Sequence, residues 1–280
     1  MKKFDYLIVG KSVSKNARSP QLWNKVFENL GVVERMGSFD LELKSAIDFQ
    51  NFVKAIPHVK GLAIAFPNKF HVESLLFPDK TYPVGINVVR IEGTTLTGMN
   101  FDGVGALESL LINTGQSSDA LINDFQFVIF GTGSTAHSFQ KALVDSGLGT
   151  ESVVLVSSRN SFDDGIAKIR LFNSQHNSNG SSKRIILINA TPLGSVAYSN
   201  STPFGNKLVE QLKGRLEIVF DFNYGVKNSG PEMWASENAV KYFNGTLMNL
   251  FQAAHSFKFA TGSEFDLEVE QIVGIMKGAG

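Results

Sequence analysis

Residues 125–136 read FQFVIFGTGSTA, an apolar run that passes directly into a glycine-containing turn. The apolar run is typical of a strand buried on both faces of a parallel sheet. The turn has the pattern G-x-G-x-x-A: Gly131 would permit the tight bend, Gly133 would let a pyrophosphate approach the backbone, and Ala136 would let a helix pack closely on the strand. A helix is expected over Ser134–Ser146, with its N-terminal N–H groups available to phosphate oxygens. The pattern predicts a dinucleotide-binding unit; a glycine turn without a ligand is the alternative.

The following strand, predicted over Val153–Val156, indicates which dinucleotide is bound. An NAD enzyme usually has Asp or Glu at the end of this strand, to hold the ribose hydroxyls. Here Ser157, Ser158 and Arg159 follow the strand, and a guanidinium suits the 2′-phosphate of NADP. A plain surface arginine is the alternative, and Asp163 and Asp164 nearby would weaken the positive potential. NADP is therefore favoured, with NAD the less favoured cofactor.

Short apolar runs alternate with helical patterns on both sides of this turn. Strands are predicted at Tyr6–Val9, Met36–Phe39, Gly61–Ala65, Val84–Val89, around Leu96, at Phe125–Phe130, Val153–Val156, Ile185–Ile188 and Glu217–Phe220. Helices are predicted at Pro20–Leu30 with Ser19 as N-cap, at Leu43–Ala55, at Ser134–Ser146, and twice after Thr246, divided near Thr261–Ser263. The alternation predicts an α/β fold of helices packed on mostly parallel sheets.

Two αβα domains are expected from this order of elements. A Rossmann-type dinucleotide-binding domain would span residues 102–243. An N-terminal substrate domain would comprise residues 1–101 and 244–280, with the C-terminal helices returning to it.

The composition limits the classes of partner. Among 280 residues, 26 basic side chains balance 26 acidic ones, so there is no global field for nucleic acid or a charged membrane. A small-molecule substrate is expected, in a cytoplasmic monomer or homodimer. The chain has no cysteine, and its five histidines show no ligand spacing, so no metal is expected. The start, MKKFDYLIVG, is typical of a buried strand rather than of a signal peptide.

Nine short segments, in order along nearly the whole chain, resemble the shikimate dehydrogenase family. They are Arg18–Pro20, Gly61–Lys69 (GLAIAFPNK), Gly85–Asn87, Asn100–Gly103 (NFDG), the Gly131 turn, Ser158–Asn160, Asn189–Gly194 (NATPLG), Asp221–Tyr224 and Gln252–Ala254. The resemblance implies a two-domain NADP-dependent oxidoreductase, of a family that acts in the shikimate pathway of aromatic amino acid biosynthesis.

The resemblance also implies the roles of individual residues. Lys69 and Asp102 would share the transfer of the hydroxyl proton, because a carboxylate beside an ammonium group orients it. Alone, the two would be read as a loop lysine and a helix N-cap. The implied substrate-binding residues are Ser19, Asn87, Tyr224 and Gln252. The implied cofactor-binding residues are Gly131, Thr132, Gly133, Ser134, Thr135, Ala136, Ser158, Arg159, Asn189 and Thr191; Asn189 could equally be a structural turn residue.

Four positions depart from the family pattern by losing polar groups. Ala17 stands for a serine, Ala63 and Ala65 stand for an asparagine and a threonine, and Phe101 stands for a threonine. Because the Lys–Asp pair is retained, we expect hydride transfer to or from a secondary alcohol or ketone of a small cyclic hydroxy acid other than shikimate. The alternative is a non-catalytic NADP-binding regulator or scaffold. Methylene-tetrahydrofolate dehydrogenase has a similar architecture, but the segments at Asn100 and Gln252 suit it less well.

Overall fold

The computed structural model describes residues 4–79, 84–157, 183–205, 210, 212 and 214–278. Contacts divide the chain into two compact units, one of Met1–Gly105 with Asn249–Gly280 and the other of Ala106–Met248. We refer to these as the first and the second unit. The sequence-predicted cofactor residues Ser158 and Arg159 lie outside the described residues.

The first unit is built on a five-stranded sheet in the order β2-β1-β3-β4-β5. Its strands are β1 (Tyr6–Gly10), β2 (Met36–Asp40), β3 (Gly61–Ile64), β4 (Val88–Glu92) and β5 (Thr95–Met99). Its helices are α1 (Val13–Asn16), α2 (Ser19–Asn29), α3 (Ala46–Ala55), α4 (Lys69–Leu76), the start of α5 (Asp102–Thr114), most of α9 (Thr246–Thr261) and α10 (Val269–Lys277).

The sheet of this unit is parallel in one half and antiparallel in the other, whereas a mostly parallel arrangement was expected. Strand β1 pairs in parallel with β2 and β3, but β3–β4 and β4–β5 are antiparallel. Strands β4 and β5 form a hairpin whose two-residue connection begins with Gly93, at φ 62°. Glycine adopts this left-handed conformation without steric cost, so the chain reverses here instead of crossing over through a helix.

An aromatic cluster holds the C-terminal helices in the first unit. Phe257 of α9 lies edge-on to Trp23, with ring centroids 5.3 Å apart, and 5.1 Å from Phe27, both on α2. Tyr6 of β1 stacks on Phe27 at 5.4 Å, and helix α10 also packs on α2. All four rings are buried, and aromatic rings of this size contribute a large share of core burial. The expected return of the C-terminal helices to the first unit is confirmed.

The second unit contains a fully parallel five-stranded sheet in the order β10-β9-β8-β6-β7. Its strands are β6 (Phe125–Phe130), β7 (Val153–Val156), β8 (Arg184–Asn189), β9 (Leu216–Asp221) and β10 (Lys241–Asn244). Its described helices include α6 (Ser118–Asp124), α7 (Ser134–Asp145) and α8 (Gly230–Glu237), with the remainder of α5.

Strand β6 is the central element predicted from the apolar run. Alternate side chains enter two separate hydrophobic cores. Phe127 and Ile129 pack in one core, and Val128 and Phe130 pack in the other. Every residue of β6 is buried, because cores cover both faces of the sheet. The Rossmann-type parallel sheet expected here is confirmed.

Several local features differ from the predictions, among them the following. Ser19 is the first residue of α2, not its N-cap; Arg18 takes the flanking position, and no side chain caps the helix there. The strand expected from Val84 begins at Val88, because Val84 and Gly85 bind a side chain instead of a neighbouring strand. Strand β10 was not predicted, since its four residues are only partly buried or exposed and carry no apolar alternation.

Candidate active site

Lys69 begins helix α4, immediately after the turn that follows strand β3. The residue before it, Asn68, is fully buried and ties the turn to a neighbouring segment: its Nδ2 donates to the Leu41 carbonyl at 2.8 Å, and its Oδ1 accepts the Leu43 N–H at 2.8 Å. The Ile86 N–H donates to the Lys69 carbonyl at 3.0 Å. Lys69 is therefore a fixed helix-terminal residue and not a loop lysine.

The Lys69 side chain forms an ion pair with the carboxylate of Asp102, the first residue of α5. Lys69 Nζ lies 2.5 Å from Asp102 Oδ2, and the two side chains are only 17% and 9% exposed. Desolvating both charges offsets much of their mutual attraction, so a pair this buried is weak evidence for a purely stabilising role.

Two side-chain amides complete a polar cluster with this ion pair. Asn87 Nδ2 donates to Asp102 Oδ1 at 2.8 Å and lies 3.4 Å from Gln252 Oε1 on α9. The Asn87 Oδ1 accepts the Phe101 N–H at 3.0 Å, which fixes the orientation of the amide. The structure thus brings together Lys69, Asp102, Asn87 and Gln252, which are distant in the sequence.

Asn100 holds the segments that carry this cluster, a role that the sequence reading did not assign. Its Nδ2 donates to the carbonyls of Val84 and Gly85, at 2.8 and 2.9 Å, and its Oδ1 accepts the Asp102 N–H at 2.8 Å. The position of Asn100 within the NFDG segment was the signal that could have identified it, because an asparagine before a helix commonly bonds to backbone two residues on.

An aromatic surface adjoins the cluster where the family pattern has a threonine. The Phe101 ring stacks on the imidazole of His255, with centroids 5.4 Å apart and planes 15° from parallel, and meets Phe259 edge-on at 5.8 Å. Gln252, His255 and Phe259 follow one face of α9. The spacing of His255 in the sequence indicates no special role, but its contact with Phe101 places it beside the polar cluster.

The glycine turn of the second unit has the backbone that its motif requires. Gly131 has φ 117°, and a Cβ there would lie 2.7 Å from the Ala190 carbonyl oxygen, so a larger residue would clash with backbone. A Cβ at Gly133 would meet no atom within 4 Å, which leaves open space at the N-cap of the twelve-residue helix α7. Ala136 is fully buried in the core below. Thr132, Ser134 and Thr135 complete the turn and the first residues of α7.

Asn189 and Thr191 belong to a buried polar network at the ends of β8 and β9. Asn189 Oδ1 accepts the N–H and the hydroxyl of Thr191, at 3.0 and 2.7 Å. Its Nδ2 donates to the Leu193 carbonyl at 2.6 Å and to Asp221 Oδ1 at 2.9 Å. The Asn189 amide is thus engaged in holding the 189–193 turn, which favours the structural reading of this residue.

Asp221 is the charged member of that network and is 1% exposed. It also accepts the Asn223 N–H at 3.0 Å and the Tyr242 hydroxyl at 3.2 Å. Burial raises the pKa of the Asp221 carboxyl to about 6, although hydrogen bonds from Asn223, Tyr242 and Asn189 oppose the shift. Burial, followed by the charge of Asp221, raises the pKa of the Tyr242 hydroxyl as well.

The other two predicted substrate residues lie one in each unit. Ser19 lies half-buried at the start of α2, and Tyr224 lies half-buried in the second unit, after β9. Across the part of the chain that the structure describes, no three His, Cys, Asp or Glu side chains group as metal ligands would. Within the same ranges, none of the helices has both the length and the apolar character needed to cross a bilayer.

The first α/β unit carries a buried Lys–Asp–Asn–Gln cluster, and the second carries a Rossmann-type glycine turn. This combination is typical of two-domain, dinucleotide-dependent oxidoreductases. A scan of family models finds no match. The shikimate dehydrogenase (NADP(+)) of Bacillus subtilis is 25% identical, over 100% of this chain and 99% of that protein. The shikimate dehydrogenase (NADP(+)) of Methanococcus aeolicus is 24% identical, over 94% and 93%.

Solved structures show the same fold. The shikimate 5-dehydrogenase of Thermus thermophilus, in complex with NADP(H) and shikimate, matches with a TM-score of 0.70 and 19% identity, over 99% of this chain and 100% of that one. The resemblance predicted from nine sequence segments is confirmed. The chain is thus similar to shikimate dehydrogenases over nearly its whole length, at 24–25% identity.

Proposed function

We propose that this protein is an NADP-dependent oxidoreductase that interconverts a secondary alcohol and a ketone on a small cyclic hydroxy acid. The observation that carries the proposal is the buried cluster of Lys69, Asp102, Asn87 and Gln252. Such an arrangement offers a proton acceptor, a carboxylate that orients it, and amides that can hydrogen-bond to substrate oxygens. The named activity of the relatives supports the same reaction class.

The residues of the second unit fit a dinucleotide. The open space at Gly133 admits a phosphate group close to the backbone, and the N-terminus of α7 favours negative charge there. NADP, when bound, supplies the hydride acceptor for oxidation and, as NADPH, the hydride donor for reduction. Gly131 through Ala136 would hold the pyrophosphate, and Ser158 and Arg159 would select the 2′-phosphate.

The chain's own residues would handle the proton and the substrate. During oxidation, the Lys69–Asp102 pair takes up the hydroxyl proton as hydride leaves the carbon, and it returns that proton during reduction. Asn87 keeps one Asp102 oxygen occupied, so the other stays directed at Lys69 Nζ. Gln252 and Asn87 orient the substrate, and we include Ser19 and Tyr224 among the residues that contact it.

The departures from the family pattern at four positions support a substrate other than shikimate. Ala17, Ala63 and Ala65 lack hydrogen-bonding groups, and the Phe101 ring is held by His255 and Phe259 as an apolar surface. Each oxygen that is buried without a partner costs about 1–3 kcal/mol. The substrate proposed is therefore a cyclic acid with fewer or differently placed hydroxyls.

A spectrophotometric screen of NADP reduction over cyclic hydroxy acids, including quinate and shikimate, tests the proposal. We expect turnover of at least one acid by the wild-type protein and its loss in Lys69→Ala. The contrary result is tight NADPH binding without turnover of any acid in either direction. That result would instead indicate a non-catalytic NADP-binding regulator or scaffold, which the retained buried ion pair disfavours.

A further inference from the structure

Glu73 is a buried carboxylate to which the proposed reaction assigns no role. It lies on α4, four residues after Lys69, and its side chain is on the interior of the first unit, with the residue 3% exposed. A buried acidic side chain is costly unless it is well hydrogen-bonded. Because Glu73 lies on the same short helix as Lys69, the groups that it binds can affect the geometry around Lys69.

The Glu73 carboxylate binds two consecutive backbone N–H groups. One oxygen accepts the Val84 N–H at 3.1 Å, and the other accepts the Gly85 N–H at 2.8 Å. Asn100 binds the carbonyls of the same two residues. Gly85 has φ 72°, a conformation that favours glycine. Glu73 therefore accepts hydrogen bonds from the N–H groups of Val84 and Gly85, and Asn100 donates hydrogen bonds to the carbonyl groups of the same two residues.

This double clamp lies two residues before Asn87. Ile86, between them, donates its N–H to the Lys69 carbonyl, so the segment is tied to α4 at both Lys69 and Glu73. A shift of the segment along α4 would move the Asn87 amide relative to both Lys69 Nζ and the Asp102 carboxylate. Hydrogen bonds depend steeply on such shifts, since they weaken rapidly away from their optimal length and angle.

We propose that Glu73 is a positioning residue of this active site: by anchoring Val84 and Gly85 to α4, it sets the Asn87 amide on Asp102 beside Lys69. Its catalytic consequence rests on the proposed function. The effect of Glu73 on the position of the Asn87 amide does not rest on the proposed function. The positional effect and the catalytic effect can therefore be tested separately.

The side-chain amide NMR signal of Asn87 reports the geometry without any substrate. The signal is identified by its absence in Asn87→Ala, and its dependence on the carboxylate is established with Asp102→Asn. In Glu73→Gln, which keeps the shape but replaces one acceptor oxygen by an N–H donor, we expect the signal to move toward that of a solvent-exposed amide and to exchange faster with water. An unchanged Asn87 signal in Glu73→Gln would overturn the proposal.

Two further variants keep this test decisive. Asp5→Asn is the matched control, because Asp5 also accepts a backbone N–H, that of Arg35, but lies before β1 at the opposite end of the parallel strands from Lys69. It should leave the Asn87 signal unchanged. If Glu73→Gln does not fold, Glu73→Asp replaces it, because aspartate keeps the charge but its shorter side chain withdraws both oxygens from Val84 and Gly85. A changed Asn87 signal in this variant would support the proposal, and an unchanged signal would overturn it.

Kinetics with a substrate from the screen then test the catalytic consequence. Misplacement of a catalytic group by about 1 Å can cost up to roughly a hundredfold, so we expect Glu73→Gln to lower kcat by about ten- to a hundredfold. The dissociation constant for NADPH should not change. Adding Glu73→Gln to Asn87→Ala should cause no further loss, because Glu73 acts through Asn87; fully additive losses would contradict this.

Failure of the proposed function gives a different result from failure of this inference. If no acid is turned over by the wild-type protein but the Asn87 signal still responds to Glu73→Gln, the oxidoreductase proposal fails and the positioning role stands. If the wild-type protein turns over a substrate and the signal does not respond, only the role of Glu73 is overturned.

Discussion

Lys69 Nζ lies 2.5 Å from Asp102 Oδ2, although the two residues are 33 positions apart in the sequence. Each is the first residue of its helix, α4 and α5, so neither side chain depends on a loop for its position. Side chains carried by helices are held more precisely than side chains carried by loops.

Removal of either member of this pair should abolish most turnover. General acid–base groups contribute roughly 10²–10⁴-fold, so Lys69→Ala and Asp102→Asn should each lower kcat by about that factor. NADPH affinity, measured by fluorescence titration, should hardly change, because neither residue belongs to the dinucleotide turn. Lys141→Ala is a suitable control, since its partner Asp145 is exposed on α7. Near-normal kcat in both site variants would place the chemistry elsewhere.

The two glycines of the turn should respond differently to alanine. Gly131→Ala forces a positive φ on a side chain that also meets the Ala190 carbonyl, so the free energy of unfolding should fall by about 1–3 kcal/mol or more. Gly133→Ala meets no atom, so stability should change by less than about 0.5 kcal/mol. If phosphate binds there, Gly133→Ala should nevertheless weaken NADPH binding about tenfold or more. Unaltered NADPH affinity in Gly133→Ala would argue against this phosphate site.

The stability of the second unit should depend on the ionisation of Asp221. Its carboxyl has a pKa of about 6 when folded, against about 3.9 when unfolded. Between these values the folded state binds more protons, so the free energy of unfolding decreases as pH rises from about 4 to about 6 and levels off above. The decrease should be at most about 3 kcal/mol, from a shift of about two units.

Urea unfolding across this pH range, compared with Asp221→Asn, measures the effect. The variant cannot titrate here, so its stability relative to wild type should rise through the same range. The two tryptophans divide between the units, so a Trp23→Phe background leaves the fluorescence of Trp234 to report on the second unit. A wild-type–variant difference that stays constant with pH would show that Asp221 does not titrate as expected.

Shikimate should be a poor substrate. The lost polar groups and the Phe101 surface predict a kcat/KM below the usual enzyme range of roughly 10⁴–10⁸ M⁻¹s⁻¹. Phe101→Thr removes the ring that stacks on His255 and provides a hydroxyl, so it should raise kcat/KM for shikimate. Steady-state kinetics with NADP and shikimate measure both values. A wild-type value within the usual range would show that these four substitutions do not prevent shikimate from being a good substrate.

NADPH should bind more tightly than NADH because of Arg159. A charge-assisted, paired contact with the 2′-phosphate contributes about 1.5–3 kcal/mol, roughly ten- to a hundredfold in affinity. Arg159→Ala should remove most of this preference while leaving NADH affinity almost unchanged. Fluorescence titration with both nucleotides checks this, and equal affinities in the wild-type protein would refute the assignment.

Four of the five strands in the parallel sheet of the second unit could be predicted from sequence, because each is a short apolar run; β10 lacks that local pattern. Strand β6 was predicted residue for residue, since an uninterrupted apolar run followed by glycine is typical of a strand buried on both faces. The glycine turn could be recognised for the same reason. Only the family resemblance linked Lys69, Asp102, Asn87 and Gln252, because nothing in their separate neighbourhoods relates them.

Contacts between distant segments could not be predicted in this way. Nothing near Glu73 in the sequence indicates that its carboxylate accepts hydrogen bonds from Val84 and Gly85, and nothing near Asn189 indicates that Asp221 accepts its amide. The antiparallel half of the first sheet was missed because apolar periodicity marks a strand without giving its direction. Local pattern specifies which residues are strands, helices and turns, whereas a hydrogen-bond partner or a pKa depends on which groups the folded chain brings within about 3 Å and removes from water.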